Sequence, residues 1–89
     1  IRGGLIKLAE YMAMGIIPIV PPNSWPAEHI KHGINGFIAK IEEYSDILNK
    51  LNKEQIYEMS KEARIYAINN FDIRNVAKRL INYLSENGY

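Results

Sequence analysis

The stretch Gly3-Gly4-Leu5-Ile6-Lys7-Leu8-Ala9-Glu10-Tyr11-Met12-Ala13-Met14-Gly15-Ile16-Ile17-Pro18-Ile19-Val20 sets the fold of this chain. Leu5, Leu8, Ala9 and Met12 recur at i, i+3, i+4 and i+7, which predicts a helix with one buried face. Gly15 stands where such a helix needs a left-handed residue to end. Ile16 to Val20 is a continuous apolar run, the pattern of a short strand covered on both faces. Lys7, Glu10 and Tyr11 fall on another face of the helix, so the core has no use for the Glu10 carboxylate. Gly3 and Gly4 leave backbone N–H groups uncovered at a helix N-terminus, where an anion is favoured. A phosphate at those amides and a carboxylate two turns further along would suit a nucleotide. Glu10 also reads as an ordinary solvated helix residue, and Gly3-Gly4 as a merely flexible end.

Beyond Val20, Pro21-Pro22 ends the strand, and Pro18 within it removes one backbone donor, so the strand is short or lies near a sheet edge. A loop follows, with a short helix expected over Pro26–Lys31 because Pro26 suits a first helical position. Asn35-Gly36 is a turn signal, and Phe37-Ile38-Ala39 reads as a second short strand. From Glu42 onward helix signals dominate. Tyr44, Ile47, Leu48 and Leu51 make one stripe. Asn52 and Gln55 have capping-box spacing, and Ile56, Met59, Ala63, Tyr66, Ala67 and Asn70 share the face of the helix they open. Phe71-Asp72 breaks that pattern, and Asp72 caps a last helix striped by Ile73, Val76, Ala77, Leu80, Ile81 and Leu84, with Gly88 closing it. Two short strands make no independently stable sheet. Further strands are expected from a partner or from a preceding part of the protein.

Eighty-nine residues form at most one small domain, burying roughly 60–65% of the surface that its unfolded chain exposes. The chain has no cysteine, hence neither a disulfide framework nor a thiolate metal site. A net charge of +1 argues against a nucleic-acid binder held by a basic field. No apolar run has bilayer-spanning length, and Lys7 and Glu10 interrupt the N-terminal apolar positions, unlike a secretory signal. Position 1 starts almost inside an element, with no initiating methionine, which predicts a piece of a larger protein.

Residues Leu8 to Val20 resemble the Glu-(Ala/Tyr)-Met-Ala-x-Gly-x-Pro-Val-Val block of family 4 glycosyltransferases of the GT-B fold. Glu28-His29-Ile30 and Gly33-Ile34-Asn35-Gly36-Phe37 are similar to a second segment of that family, and Phe71-Asp72, Val76-Ala77, Leu80 and Tyr83 to its final helix. The likeness covers nearly the whole chain. It implies an α/β fold class: residues 1–89 would be the C-terminal portion of a Rossmann-like nucleotide-sugar-binding domain, with two short strands and a helix-rich C-terminal half. The activity implied is transfer of a sugar from a nucleotide-diphosphate sugar to an acceptor, with retention and without a metal or other cofactor. Glu10 inherits the family's ribose contact, since a carboxylate offers two acceptor oxygens to a vicinal diol. The backbone amides of Gly3, Gly4, Leu5 and Ile6 inherit the diphosphate and sugar. The family has a first Glu eight positions before the second, where this chain has Arg2. Arg2 cannot accept the sugar's hydrogen bonds but suits a phosphate. A subset of the family with a Lys three residues before the second Glu, as Lys7 is here, also varies that upstream position, so Arg2 and Lys7 are candidate phosphate or sugar contacts. The catalytic residues are not assigned. The implied partners are the nucleotide sugar and an N-terminal acceptor domain of the same protein, with no nucleic acid. The implied location is the cytoplasm, or its membrane face if the acceptor lies there.

Two other classes compete. A small non-catalytic helical interaction module would explain the amphipathic tail but not the Glu10 block, Pro18 or Asn35-Gly36. A fragment of another Rossmann-like sugar-phosphate enzyme would also use a glycine-opened helix for an anion. His29 and His32, three apart, lack a third ligand for zinc, and His29 reads as a cover for the loop. Trp25 reads as packing under the proline-rich turn, with stacking on a base as the alternative. Glu42-Glu43 and Lys61-Glu62-Arg64 read as solvated helix faces.

Overall fold

Met12 has no exposed surface, and the packing is built around it. A computed structural model of the chain describes residues 2–86, without the side chains of Arg2, Ile73, Asn75, Val76 and Leu80; Gly88, expected to close the last helix, lies outside the described residues. Met12 belongs to α1 (Arg2–Ala13), where Leu8 and Ala9 are buried beside it, as the helical spacing requires. Facing them, α3 (Lys53–Asn70) presents Ala63 and Ala67, both 0% exposed and one turn apart. Small residues at i and i+4 put little side-chain bulk between two helices, so α1 and α3 pack closely. Val20 and Ile30 complete the cluster. Leu5, at the outer end of the α1 stripe, is exposed, as are Ile56 and Asn70 at the ends of the α3 stripe.

Gly15 ends α1 as expected, with φ at +79°. Its amide donates to Met12 O at 2.9 Å and the Ile16 amide to Tyr11 O at 2.9 Å, the two bonds of a Schellman motif. A side chain at Gly15 would also collide with α3, since a Cβ there would lie 2.5 Å from Ser60 Oγ and 2.6 Å from Arg64 Nη2. Arg64 thus reaches over the end of α1, and Lys61 pairs with Glu58 at 3.3 Å, while Lys61 and Arg64 stay exposed, as expected of a solvated face.

Strand β1 is only Ile19–Val20, against the expected Ile16–Val20. The Ile16 amide is committed to the helix end and Pro18 has no amide, so regular pairing begins at Ile19. β1 pairs in parallel with β2 (Phe37–Ile38), Ile19 opposite Phe37 and Val20 opposite Ile38. Phe37 N donates to Pro18 O at 2.8 Å and Ala39 N to Val20 O at 2.9 Å, so Ala39 extends the contact just past the strand. The described residues are therefore mostly helical with one short parallel pair, an arrangement compatible with the α/β class.

The connection between the strands differs from expectation in where and how its short helix ends. The short helix expected over Pro26–Lys31 forms as a 3-10 helix, Trp25–His29, with Pro26 in its first turn, after which Ile30 is extended and buried. Asn35 causes this. It is only 3% exposed, its Oδ1 accepts from Lys31 N at 2.7 Å, and its Nδ2 donates to His29 O at 3.2 Å. Backbone groups that would continue a helix are thereby tied to a side chain. The turn signalled by Asn35-Gly36 forms over residues 33–35, with Gly33 carrying the positive φ, +80°. Gly36 serves close approach instead, because a Cβ there would lie 2.7 Å from Pro18 O.

The remaining helices are more loosely placed. α2 (Tyr44–Lys50) is short; Tyr44 and Ile47 are half-buried but Leu48 is 60% exposed, so its stripe is only partly used. The capping box forms as expected before α3, with Gln55 N donating to Asn52 Oδ1 at 2.8 Å and Asn52 N to Gln55 Oε1 at 3.0 Å. α4 (Ile73–Glu86) opens on Asp72, whose Oδ1 accepts from Arg74 N at 3.2 Å, and packs along α1. No helix among the described residues is long and apolar enough to cross a membrane.

Candidate functional site

By helical periodicity Gly3, Ile6, Lys7 and Glu10 lie along one face of α1. A helix that begins at Arg2 leaves the amides of Gly3 and Gly4 outside its hydrogen-bond ladder and takes that of Ile6 inside, with Leu5 at the border. Glu10 stands six residues past Gly4, about 9 Å at the helical rise. The helix thus carries free donors at one end and a carboxylate nearly two turns along. Lys7, between them, is exposed and forms no ion pair among the described residues. The side chain of Arg2, the other cationic candidate, lies outside the described residues.

Glu10 is not bare. Its Oε1 accepts from Arg79 Nε of α4 at 2.6 Å, and the Glu10 side chain retains 23% of its accessible surface. No local pattern points to Arg79, which is 69 residues away in the chain. Glu10 Oε2 accepts no hydrogen bond from the described residues.

Trp25 sits against the first turn of α1. A Cβ on Gly4 would lie 3.0 Å from its Cζ2, so the lack of a side chain at Gly4 accommodates the indole. The ring keeps 38% of its surface exposed and meets His29 edge-on, with centroids 6.4 Å apart. His29 is turned inward: its Nδ1 is 2.8 Å from Tyr66 Oη, and its ring packs against Phe71 at 5.2 Å. Burial raises the Tyr66 hydroxyl above the usual phenol range. His32 faces elsewhere, its Nδ1 accepting from Ile38 N at 3.0 Å. The two imidazoles therefore have separate partners, and no group of three metal-ligating side chains occurs among the described residues.

A concavity of about 470 Å³ opens on the far side of α3, between α2 and the loop before β2. None of Gly3 to Ile6, Lys7 or Glu10 lines it. Its apolar wall includes Ile34, Ile47 and Leu51, and Glu54, Glu58 and Glu62 border it. Three carboxylates beside one lysine, Lys50, would oppose a diphosphate.

The fold and the α1 face define a small helix-rich chain with a parallel strand pair and an acidic residue paired to a cation from its last helix. No family model matches the chain, and no curated protein or solved structure proved similar to it. The likeness to glycosyltransferase motifs rests on the residues quoted for it.

Proposed function

We propose that this chain is the C-terminal part of the donor-binding domain of a family 4 glycosyltransferase of the GT-B fold, acting on a nucleotide-diphosphate sugar in the cytoplasm or at its membrane face. The observation that carries the reading is the position of Glu10, on the face of α1 shared with Gly3 and Lys7, in a helix that feeds directly into a strand of a parallel pair. Glu10 accepts the ribose hydroxyls, and the amides of Gly3 and Gly4, with Leu5 and Ile6 behind them, meet the diphosphate and sugar at the positive end of the helix. Lys7 and Arg2 add positive charge. Trp25 borders the same helical turn and so limits what is accepted there. An acceptor domain elsewhere in the protein closes the cleft, so the chain alone turns over no substrate and holds nucleotide weakly at best.

The test is to express the full reading frame and measure hydrolysis and binding across a panel of uridine- and guanosine-diphosphate sugars. Glu10→Gln weakens donor binding by about 1–3 kcal/mol, the range for a hydrogen bond to a charged group. An unchanged donor constant removes Glu10 from the site. A second reading, a non-catalytic interaction module, is favoured by the exposed row Ala77, Ile81 and Leu84 on α4. It would take over if no nucleotide sugar binds.

A further inference from the structure

Nothing in the glycosyltransferase reading requires a cation from the last helix on Glu10, yet Arg79 Nε lies 2.6 Å from Oε1. The contact has three properties of a reversible one. It engages a single carboxylate oxygen through a single nitrogen, unlike the two-point fork that makes arginine–carboxylate pairs strong. The Arg79 side chain keeps 57% of its surface exposed, so water competes for the guanidinium. And among the described side chains of α4, Ala77, Ile81 and Leu84 face solvent, and Arg74 is turned back on Asp72 at 3.2 Å. The neighbouring cation on α1, Lys7, is exposed and does not share the carboxylate.

We propose that Arg79 is a latch on the Glu10 site, through which α4 holds the carboxylate when no nucleotide is present. The inference rests on Glu10 being the ribose acceptor. A vicinal diol seeks both oxygens of a carboxylate, and a guanidinium on Oε1 leaves only Oε2. Nucleotide and α4 therefore compete for one group. Affinity is lowered by the fraction of molecules in the latched state, and, by reciprocity, nucleotide binding releases α4 from α1.

The experiment uses the protein of the full reading frame as wild type, Arg79→Gln and Glu10→Gln, with uridine and guanosine diphosphate as probes, calorimetry for affinity and amide hydrogen exchange over residues 77–84 for α4. Arg79→Gln is expected to bind nucleotide roughly two- to five-fold more tightly, the range open to a half-exposed ion pair, and Glu10→Gln more weakly. Without ligand, α4 exchanges faster in both variants than in the wild type. Saturating nucleotide speeds α4 exchange in the wild type and has little further effect in Arg79→Gln. If Arg79→Gln binds equally or less well while Glu10→Gln still weakens binding, the latch is overturned and the ribose contact stands. Unaltered α4 exchange in both variants also overturns it. If instead Glu10→Gln binds as the wild type does, or nothing binds, the donor-site reading fails, and the latch with it.

Discussion

Helix α1 meets both α3 and α4, and the described contacts with each differ in kind. Against α3 it sets Met12 beside Ala63 and Ala67, none with any exposed surface. Against α4 it sets Glu10 beside Arg79, both reached by water. The first contact gains from the hydrophobic effect and from close packing, and tolerates no change of volume. The Glu10–Arg79 contact gains from charge, which salt screens. In the proposed latch, a rigid seam on one side of the helix fixes the carboxylate while a softer contact on the other varies access to it.

Changes at the rigid seam should have the largest effect. Met12→Ala is expected to destabilise by about 2–5 kcal/mol, the range for deleting a large buried side chain, read as a shift in the denaturation midpoint. Ala67→Leu forces new volume between α1 and α3 and should destabilise by about 1–3 kcal/mol. If either variant melts like the wild type, the two helices are not in contact through these residues. Gly15→Ala comes next at about 1–2 kcal/mol from the left-handed backbone alone, with the Ser60 and Arg64 collision in addition. Asn52→Ala removes the α3 cap at about 1 kcal/mol, measurable in the same melts. At the soft seam, Arg79→Gln should change global stability by less than about 1 kcal/mol, although it loosens α4. A larger loss would make that pair as structural as the methionine cluster.

The smallest effect belongs to pH. Hydrogen bonds from the Arg74 side chain and backbone hold the Asp72 carboxyl below the usual carboxylate range. Its folded form is thus the more acidic. Its contribution to α4 is complete above the unfolded value near pH 4 and is lost as acid carries the pH down through the lowered value. Circular dichroism from pH 5 to pH 2 should show α4 fraying ahead of α3. Simultaneous loss would mean that the two helices melt as one unit.

Local patterns carried most of the helical architecture. The Leu8–Met12 part of the α1 stripe, the Gly15 stop, the Asn52–Gln55 capping box and the Asp72 cap are each written within four or five residues, and each is formed. What failed depended on groups brought together by folding. Ile16 and Ile17 read as strand because their side chains are apolar, whereas the Ile16 amide already belongs to the helix end. Pro26 does open a short helix, but it is 3-10 and stops at His29, where Asn35 draws the chain into an extended exit short of the expected Lys31. The turn chemistry of Asn before Gly flagged Asn35, but as a corner and not as a buried pin. At the candidate site, the role given to Glu10 came only from the family resemblance, but its place off the buried stripe of α1 was legible from helical spacing. Arg79 was not, because no periodic rule spans 69 residues.

The Ile16 amide sets a limit that reaches beyond its own neighbourhood. One hydrogen cannot serve Tyr11 and an adjoining strand together, so lengthening β1 towards its N-terminal end requires the last turn of α1 to unwind. Helix length and sheet width are thereby traded through a single atom. Any longer pairing with β2 alongside Ile16 must therefore accept the present short span or unwind the end of the helix that carries Glu10.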